Sequence, residues 1–347
     1  MRQVTVEDID DLVLGASVLG SGGGGDWYLP RQMLLHAVER FGPVPLVDAH
    51  DLDASAPVLP VMGAGTPSAL VEMFFGDSEG SRLRGLVESA LPAGAGRCVA
   101  VLPIQPAPVN VVIPLVVAAQ LGLPCVDADT MMRCFPAVEM TLLALAGLRP
   151  SPLVAVDSRG AAAVLDAPDN ATVSALLRSC LPHMGLVALV STYRVTAGDC
   201  ARLAALRGLT RCLEIGAALR TGGPAALAEF GAVELFTGVV TELLHRTTGG
   251  FPRGVLTCEA EDGQMLRVDF QNENLVVGID GKVAVTVPDL ISLVDSETGA
   301  VLQTVDVVPG QRLQVLAMPV GERWHTPDGL ALVGPRAFGL DVDPVRL

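Results

Sequence analysis

Two aspartates that stand two positions apart are the first candidates for chemistry in this sequence. Asp127 and Asp129 follow a strand-like segment, at the carboxyl end of a predicted parallel sheet, where open α/β sheets place ligands. Side chains two positions apart in an extended chain share one face, so we expect these carboxylates to converge. Converging acids hold a cation or raise the pKa of one partner, which creates a general acid or base. The alternative is a helix cap at Asp129 and a surface ion pair.

A run of glycines near the start of the chain is the second candidate. The glycines in question are Gly22, Gly23, Gly24 and Gly25. Without a Cβ, their N–H groups can approach a bound molecule, and the N-terminus of the next helix, capped by Asp26, favours a developing oxyanion. Gly20, Gly22 and Gly25 also satisfy GxGxxG, but a dinucleotide site needs a preceding strand, whereas residues 6–19 have a helical period. We predict a ligand-facing loop and favour no nucleotide cofactor; an ordinary turn is the alternative.

Isolated polar side chains supply further candidates for binding. Arg133 could pair with an acid or a substrate carboxylate. Asn272 and Glu273 directly follow a predicted strand, where amide donors and acceptors suit a ring with amide edges; a turn that bonds its own backbone is the alternative. His183 is the best single histidine for a metal ligand or proton carrier, although a structural role is favoured. No serine or cysteine lies in a recognisable nucleophile motif, and burial is the favoured interpretation even for Cys134.

Metal and cofactor binding are therefore left open by the sequence. The histidines form no compact metal motif, and Asp127, Asp129 and His183 are weak candidates for a divalent ion.

Composition restricts the classes of protein to which the chain can belong. Its 347 residues suit two domains, and with 50% hydrophobic and 18% charged residues disorder is excluded. A net charge of −15 disfavours nucleic acids and membrane surfaces as partners. The sequence has neither a signal-peptide pattern nor an apolar stretch that could span a bilayer. We expect a cytoplasmic protein that binds a small-molecule substrate, with homo-oligomerisation left open.

Short apolar strands alternate with helices in the first half of the chain. This order predicts an α/β N-terminal domain, residues 1–167, with a mostly parallel sheet and helices on its faces. A C-terminal domain, residues 168–347, begins with some helix and is β-rich from about 233 to 347, as a sandwich or small barrel. Among the individual elements, we predict one helix over residues 137–148 and a turn at Asp280-Gly281.

The order of several motifs resembles that of a known family. The segments that carry the resemblance are Leu19–Asp26, Leu121–Asp129 with Arg133 and Phe135-Pro136, Phe270–Leu275, Pro288–Ile291 and Gly334–Gly339. The family is the one long known as DUF917, associated with S-methyl thiohydantoin desulfurase. The resemblance runs almost from end to end and implies an α/β domain followed by a β-rich domain. It also implies hydrolysis of a hydantoin-like ring, in which water displaces methanethiol from S-methyl thiohydantoin.

One stretch departs from the pattern of that family. Relatives usually carry Glu-hydrophobic-Gly-Gly before an asparagine, whereas residues 103–110 read Pro-Ile-Gln-Pro-Ala-Pro-Val-Asn. Asn110 is retained and is a candidate for substrate binding, but the acid and the glycines are absent. The change puts the activity in doubt.

The residues and the resemblance together predict a hydrolase site at the domain interface. We expect a carboxylate among Asp26, Asp127 and Asp129 to activate water, directly or through a divalent ion, and the glycine loop to stabilise negative charge. Arg133 would orient the substrate. The alternatives are a non-catalytic protein that binds a metabolite or a partner and, less favoured, an NAD(P)-dependent enzyme.

Overall fold

The computed structural model describes residues 2–25, 27–66, 69, 75–248 and 251–347. The strands of its first half are short and apolar, as expected for strands buried between helices. They are β1 (Gln3–Val4), β2 (Val44–Val47), β3 (Pro57–Gly65), β4 (Val101–Pro103), β5 (Cys125–Val126), β6 (Ala128–Asp129), β7 (Leu153–Val156), β8 (Ala162–Leu165), β9 (Val187–Ser191), β10 (Val195–Thr196) and β11 (Ala205–Leu206).

Most of these strands form one mixed sheet, in which strands from residues 1–167 pair with β9 and β10 from the stretch that follows. Strands β2, β5, β4 and β3 are parallel neighbours in that order. Antiparallel strands extend the sheet on both sides, with β1 beside β2 and with β9, β7 and β8 beyond β3; β10 also pairs with β3. Strands β6 and β11 form a separate antiparallel pair. The predicted fold class, an α/β domain with helices around a sheet, is confirmed, and its parallel part is the four central strands.

Helices pack on this sheet and against one another. They are α1 (Ile9–Leu19), α2 (Tyr28–Phe41), α3 (Glu79–Ser89), α4 (Pro108–Leu121), α5 (Leu142–Leu145), α6 (Asn170–Cys180), α7 (Ala197–Leu203), α8 (Gly208–Gly222) and α9 (Pro327–Val333). Helices α1 and α8 approach closely because glycines face the partner backbone: a Cβ on Gly15 would lie 1.8 Å from the carbonyl oxygen of Cys212. This packing fixes the end of α1, from which the glycine run leaves.

The single helix predicted over residues 137–148 is wrong, since only Leu142–Leu145 is α-helical. Thr141 has an extended backbone, and its hydroxyl accepts the N–H of Ala144 and donates to the Tyr193 hydroxyl. The threonine therefore starts the helix late, which the apolar spacing alone did not indicate.

The C-terminal domain is built on one antiparallel sheet of eight strands. In chain order the strands are β12 (Val233–Thr248), β13 (Phe251–Glu259), β14 (Met265–Gln271), β15 (Glu273–Ile279), β16 (Lys282–Thr286), β17 (Leu290–Asp295), β18 (Val301–Leu302) and β19 (Arg312–Met318). Their order in the sheet is β16-β15-β14-β13-β12-β19-β17-β18. Strand β15 also contacts β17 across the sheet, so the sheet curls towards closure. The predicted β-rich domain with some helix is confirmed, as is the turn at Asp280-Gly281, where both residues have positive φ.

No helix in the described part of the chain is long and apolar enough to cross a membrane.

Candidate functional site at the domain interface

The glycine run leaves α1 in a backbone conformation that depends on glycine. Gly22 and Gly24 have φ values of +83° and +96°, in the left-handed region that glycine occupies without strain. The preceding Ser21 fixes the loop to the C-terminal sheet, because its hydroxyl donates to the Ile291 carbonyl and accepts the Ile291 N–H. The Gly22 carbonyl accepts the N–H of Thr304. The loop is therefore held against the C-terminal domain by backbone as well as side-chain bonds.

The loop lies between the two domains, and neither Gly23 nor Gly24 has room for a side chain in this arrangement. A Cβ on Gly23 would lie 2.8 Å from Asn272 Nδ2 and 2.9 Å from Glu273 Oε1. On the other side, a Cβ on Gly24 would lie 2.8 Å from the Ala107 Cβ. Among the described residues, neither Gly22 nor Gly24 gives its N–H to an acceptor. The structure thus brings the predicted loop together with Asn272 and Glu273.

Glu273 is a fully buried carboxylate beside this loop. Its Oε1 accepts hydrogen bonds from Cys134 Sγ at 3.0 Å and from Asn272 Nδ2 at 2.7 Å. Its Oε2 is buried and has no hydrogen-bond partner among the described residues. Burial raises the pKa of Glu273, against the two hydrogen bonds and the positive charge of Arg133. A buried carboxylate with a raised pKa and one unpaired oxygen is suited to accept a proton or to bind a polar ligand atom.

A chain of amide side chains continues from Cys134 into the N-terminal domain. Gln105 is within hydrogen-bonding reach of the Cys134 thiol and donates through Nε2 to the Phe135 carbonyl. Asn110, at the start of α4, donates to Gln105 Oε1 and accepts the N–H of Gly63. The stretch that departs from the family pattern therefore lines this interface. Its glutamine and asparagine join the same polar cluster as Glu273.

Arg133 joins the domains from a fully buried position. It donates to the Cys134 carbonyl on its own domain and to the carbonyls of Pro288, Asp289 and Asn274 on the other. Burial lowers the pKa of Arg133 to about 10, while the nearby Glu273 opposes that change. The role of Arg133 in orienting a substrate stays a prediction, and the structure shows its donors bound to backbone carbonyls. Arg133 thereby holds the backbone at Asn274, next to Glu273, and at Pro288 and Asp289.

Asp127 and Asp129 both accept hydrogen bonds in the structure, and they do so from different elements. Asp127 accepts the N–H and the hydroxyl of Thr210 in the first turn of α8. Asp129 accepts the N–H groups of Met131 and Met132. Asp129 therefore caps the backbone that follows it, as the alternative expected, whereas Asp127 binds the distant first turn of α8. Among the described residues, neither makes a hydrogen bond to the glycine loop.

The surroundings of the two aspartates differ as well. Asp127 is half-buried on the wall of a surface cavity of about 390 Å³, which Arg207 also lines. Asp129 is buried, and burial raises its pKa to about 6, against the hydrogen bonds from the N–H groups of Met132 and Met131. The two acids thus lie in unlike environments, and the expected pair bordering one cleft with the glycine loop is not formed.

The remaining predicted residues do not join the interface cluster. His183 is exposed, and its carbonyl accepts a hydrogen bond from Arg159. Asp26 lies outside the described residues. Within the described ranges, no group of three or more His, Cys, Asp and Glu side chains could hold a metal ion. The weak metal candidates Asp127, Asp129 and His183 therefore do not form a ligand set. The glycine loop follows helix α1, whereas a dinucleotide fold requires a strand there.

Two residues of the interface cluster were missed by sequence reasoning. Asn274 donates through Nδ2 to the Ile291 carbonyl, and its Oδ1 accepts the Thr304 hydroxyl. Asn274 belongs to the same polar run as Asn272 and could have been found from it. Thr304 lies among ordinary turn residues, and its sequence context carries no signal.

Comparison with known proteins relates both halves of the chain to one family. The model of the S-Me-THD-like N-terminal domain matches residues 7–167, and that of the S-Me-THD-like C-terminal domain matches residues 168–347. The fold resembles the crystal structure of a protein from Chromobacterium violaceum determined as a structural genomics target, with a TM-score of 0.82 and 22% identity. The match covers 100% of this chain and 99% of that one. No curated protein matches the sequence significantly.

Proposed function

Because the chain belongs to the S-Me-THD-like family, we propose that it is a hydrolase of small cyclic amides of the hydantoin and thiohydantoin type. The motif resemblance described above implies the reaction of S-methyl thiohydantoin with water to give a hydantoin and methanethiol. The proposed site is the interface cluster of Glu273, Cys134, Asn272 and the glycine loop. In this site the catalytic carboxylate is Glu273 of the C-terminal domain, rather than Asp26, Asp127 or Asp129.

One observation carries this proposal: Glu273 is buried beside the glycine loop with its Oε2 unpaired. A buried carboxylate oxygen without a partner costs free energy, so it is unusual unless a ligand or reaction uses it. In the proposed reaction, Glu273 accepts the proton of the attacking group and later returns it to the leaving sulfur. Its raised pKa brings this proton transfer closer to neutral pH.

The surrounding groups suit the recognition of a planar ring with amide edges. Asn272 and Asn110 each carry an amide that can donate and accept. The backbone N–H groups of Gly22 and Gly24, which have no acceptor among the described residues, could stabilise the negative charge that develops on the ring during attack. Arg133 holds the backbone of Asn274, which follows Glu273, and that of Asp289 in place. We derive no step through a metal ion, because the described side chains do not supply its ligands.

A non-catalytic binding protein is the second candidate. It is favoured by residues 103–110, where the resembled family usually has an acid and two glycines and this chain has Gln105 and prolines. Gln105 is already engaged with Asn110 and the Phe135 carbonyl. In this case, the cluster would bind a hydantoin-like metabolite without turnover.

The test is incubation of the purified protein with S-methyl thiohydantoin in sealed vessels, with methanethiol and hydantoin both quantified. We expect both products in equal amounts, and Glu273→Gln should lower kcat/KM by about 10²-fold or more, because it removes the proton acceptor. Asp127→Asn is the matched carboxylate control and should retain activity, since the amide oxygen can still accept the Thr210 N–H.

The outcomes separate the candidates. Ligand binding without product would favour the binding protein. Full activity of Glu273→Gln, or loss of activity in Asp127→Asn alone, would refute the assignment of the site to Glu273.

A further inference from the structure

We propose that Cys134 is the nucleophile of the interface site and that catalysis passes through a covalent bond between its sulfur and the ring carbon that carries the methylthio group. This inference rests on the proposed function and deepens it. It replaces direct attack by water with two successive substitutions at one carbon.

The geometry around Cys134 has the three parts that an activated nucleophile requires. The thiol donates to Glu273 Oε1 at 3.0 Å, which places an acceptor for its proton in direct contact. The same Oε1 accepts the amide of Asn272 at 2.7 Å, so a third group orients the acceptor. A nucleophile, a base within hydrogen-bonding reach and an orienting partner form the usual arrangement of covalent catalysis.

The second independent observation is the unpaired oxygen of Glu273. The carboxylate is fully buried, and its Oε2 has no partner within the described ranges. While Oε1 accepts the thiol proton, Oε2 is left free to take a proton from a ligand or from water. If Cys134 served only as a hydrogen-bond donor, Oε1 alone would accept its proton. The free-energy cost of burying the unpaired Oε2 would then have no function.

Cys134 also differs from the other cysteines of the chain. All seven lie in the described residues and are free thiols. The other six pack into or against the hydrophobic clusters: Cys98, Cys125 and Cys212 in one, Cys180 and Cys200 in the second, and Cys258 in the third. Cys134 instead lies among Glu273, Gln105 and Arg133. Its surroundings are those of a reacting group rather than of an apolar filler.

The charges explain why this thiol needs a base. Burial, followed by the negative charge of Glu273, holds the pKa of Cys134 well above its usual value. The thiol therefore stays protonated until a substrate arrives and gives up its proton during attack. The Arg133 guanidinium favours the thiolate that then forms. This arrangement protects the sulfur from adventitious reaction and makes its reactivity depend on Glu273.

The first substitution exchanges one thiol for another. The Cys134 proton passes to Glu273 Oε1 as Sγ bonds to the ring carbon, and the C=N electron pair moves onto the ring nitrogen. When that pair returns, the bond to the methylthio sulfur breaks, and methanethiolate takes the proton from Glu273 and leaves as methanethiol. The bond made and the bond broken are both carbon–sulfur bonds, so this step is close to balanced in free energy.

The second substitution releases the enzyme. Water gives a proton to Glu273 while its oxygen bonds to the same carbon, and the C=N pair again moves onto nitrogen. The pair returns, the bond to Sγ breaks, and the Cys134 sulfur recovers the proton from Glu273. The ring leaves with a hydroxyl group whose proton shifts to nitrogen, which gives the hydantoin. The sum is one substrate and one water converted into one hydantoin and one methanethiol.

Two variants distinguish a nucleophile from a structural donor. Cys134→Ser keeps a hydroxyl that can donate to Glu273 but is a far poorer nucleophile, and Cys134→Ala removes both properties. We expect each to lower methanethiol release by about 10³-fold or more. If Cys134 only positions Glu273, the serine variant will keep most of the activity. Cys180→Ser, at the partly buried end of α6, is the matched control and should release thiol at the wild-type rate.

The adduct itself is the readout that a structural role would not produce. The wild type is incubated with S-methyl thiohydantoin, quenched in acid and analysed by intact-protein and peptide mass spectrometry. We expect the mass of the substrate less that of methanethiol on the peptide that contains Cys134, in the wild type and in Cys180→Ser. Thermal unfolding of each variant confirms that it is folded.

Each outcome bears on a defined part of the argument. Methanethiol release by the wild type, together with full activity in Cys134→Ala or Cys134→Ser, overturns the nucleophile and leaves the hydrolase intact. The absence of methanethiol release from the wild type overturns the proposed function and the nucleophile with it. An adduct on Cys134 together with inactive alanine and serine variants supports both.

Discussion

Replacement of Gly23 by alanine tests whether the glycine loop shapes the Glu273 site. Gly23 does not have a positive φ, so alanine fits its backbone conformation and the perturbation is purely steric. The new methyl group would lie 2.8 Å from Asn272 Nδ2 and 2.9 Å from Glu273 Oε1, distances that real Cβ atoms essentially never show. Because both atoms belong to the hydrogen-bonded pair beside Cys134, either the pair or the loop must shift.

The expected cost follows from this crowding. An extra methyl group in a tightly packed interior destabilises by about 1–3 kcal/mol. If the Glu273 carboxylate moves by about 1 Å, the proposed reaction should slow by about 10²-fold, because proton transfer depends on alignment. We therefore expect Gly23→Ala to lower both the free energy of unfolding and kcat/KM.

The assay is urea unfolding followed by circular dichroism, together with methanethiol release from S-methyl thiohydantoin. Gly85→Ala is the matched control, since Gly85 lies on the exposed side of α3 and its added Cβ would meet nothing within 4 Å. That variant should gain about 0.5–1 kcal/mol and keep its activity. A Gly23→Ala protein with wild-type stability and rate would show that the loop has room, and the reasoning would fail.

Three further changes test the interface and the buried acid. Arg133→Lys should destabilise by about 2 kcal/mol or more in urea unfolding, because one ammonium group cannot serve the same set of carbonyls; a change below about 0.5 kcal/mol would contradict this. Ser21→Ala leaves the buried Ile291 N–H and carbonyl without their hydroxyl partner and should lower the free energy of unfolding by about 1–3 kcal/mol. A variant with wild-type stability would contradict this. Asp129 has a pKa of about 6 in the folded protein and an ordinary value of 3.8, so the folded protein binds this proton more tightly than the unfolded chain does. The contribution of Asp129 to the free energy of unfolding therefore falls as the pH rises between these two values. Asp129→Asn should therefore gain stability relative to the wild type over that range, by up to about 3 kcal/mol above pH 6, and a pH-independent difference would refute the raised pKa.

The sequence predicted the elements better than their ends. Periodicity identified helix α1, and the turn residues at Asp280-Gly281 located a hairpin correctly. The helix expected over residues 137–148 failed because Thr141 bonds to Tyr193, which is distant in sequence. Local patterns report the preferences of neighbouring residues, and such a tertiary hydrogen bond can override them.

Several members of the interface cluster were candidates from the sequence, but the contacts between them were not predicted. The glycine loop, Asn110, Asn272 and Glu273 were all recognised as candidates, and the structure brings them to one interface. The pairing of Glu273 with Cys134 spans 139 positions, and no spacing rule relates residues so far apart. Asp127 and Asp129 had the more suggestive local spacing, yet their oxygens are taken up by nearby backbone groups.

Residues 103–110 bear on which carboxylate can transfer protons at the proposed site. The resemblance implies an acid there in relatives, but here Gln105 presents a neutral amide to Cys134 and to Asn110. A second carboxylate at that place would repel Glu273 and raise the pKa of the pair further. With an amide instead, no second acid adds to the effect of burial, which raises the pKa of Glu273, and the charge of Arg133 opposes that effect. In the proposed reaction the proton transfer at the interface is therefore assigned to Glu273, and its substitution, rather than that of Asp127, is expected to lower turnover.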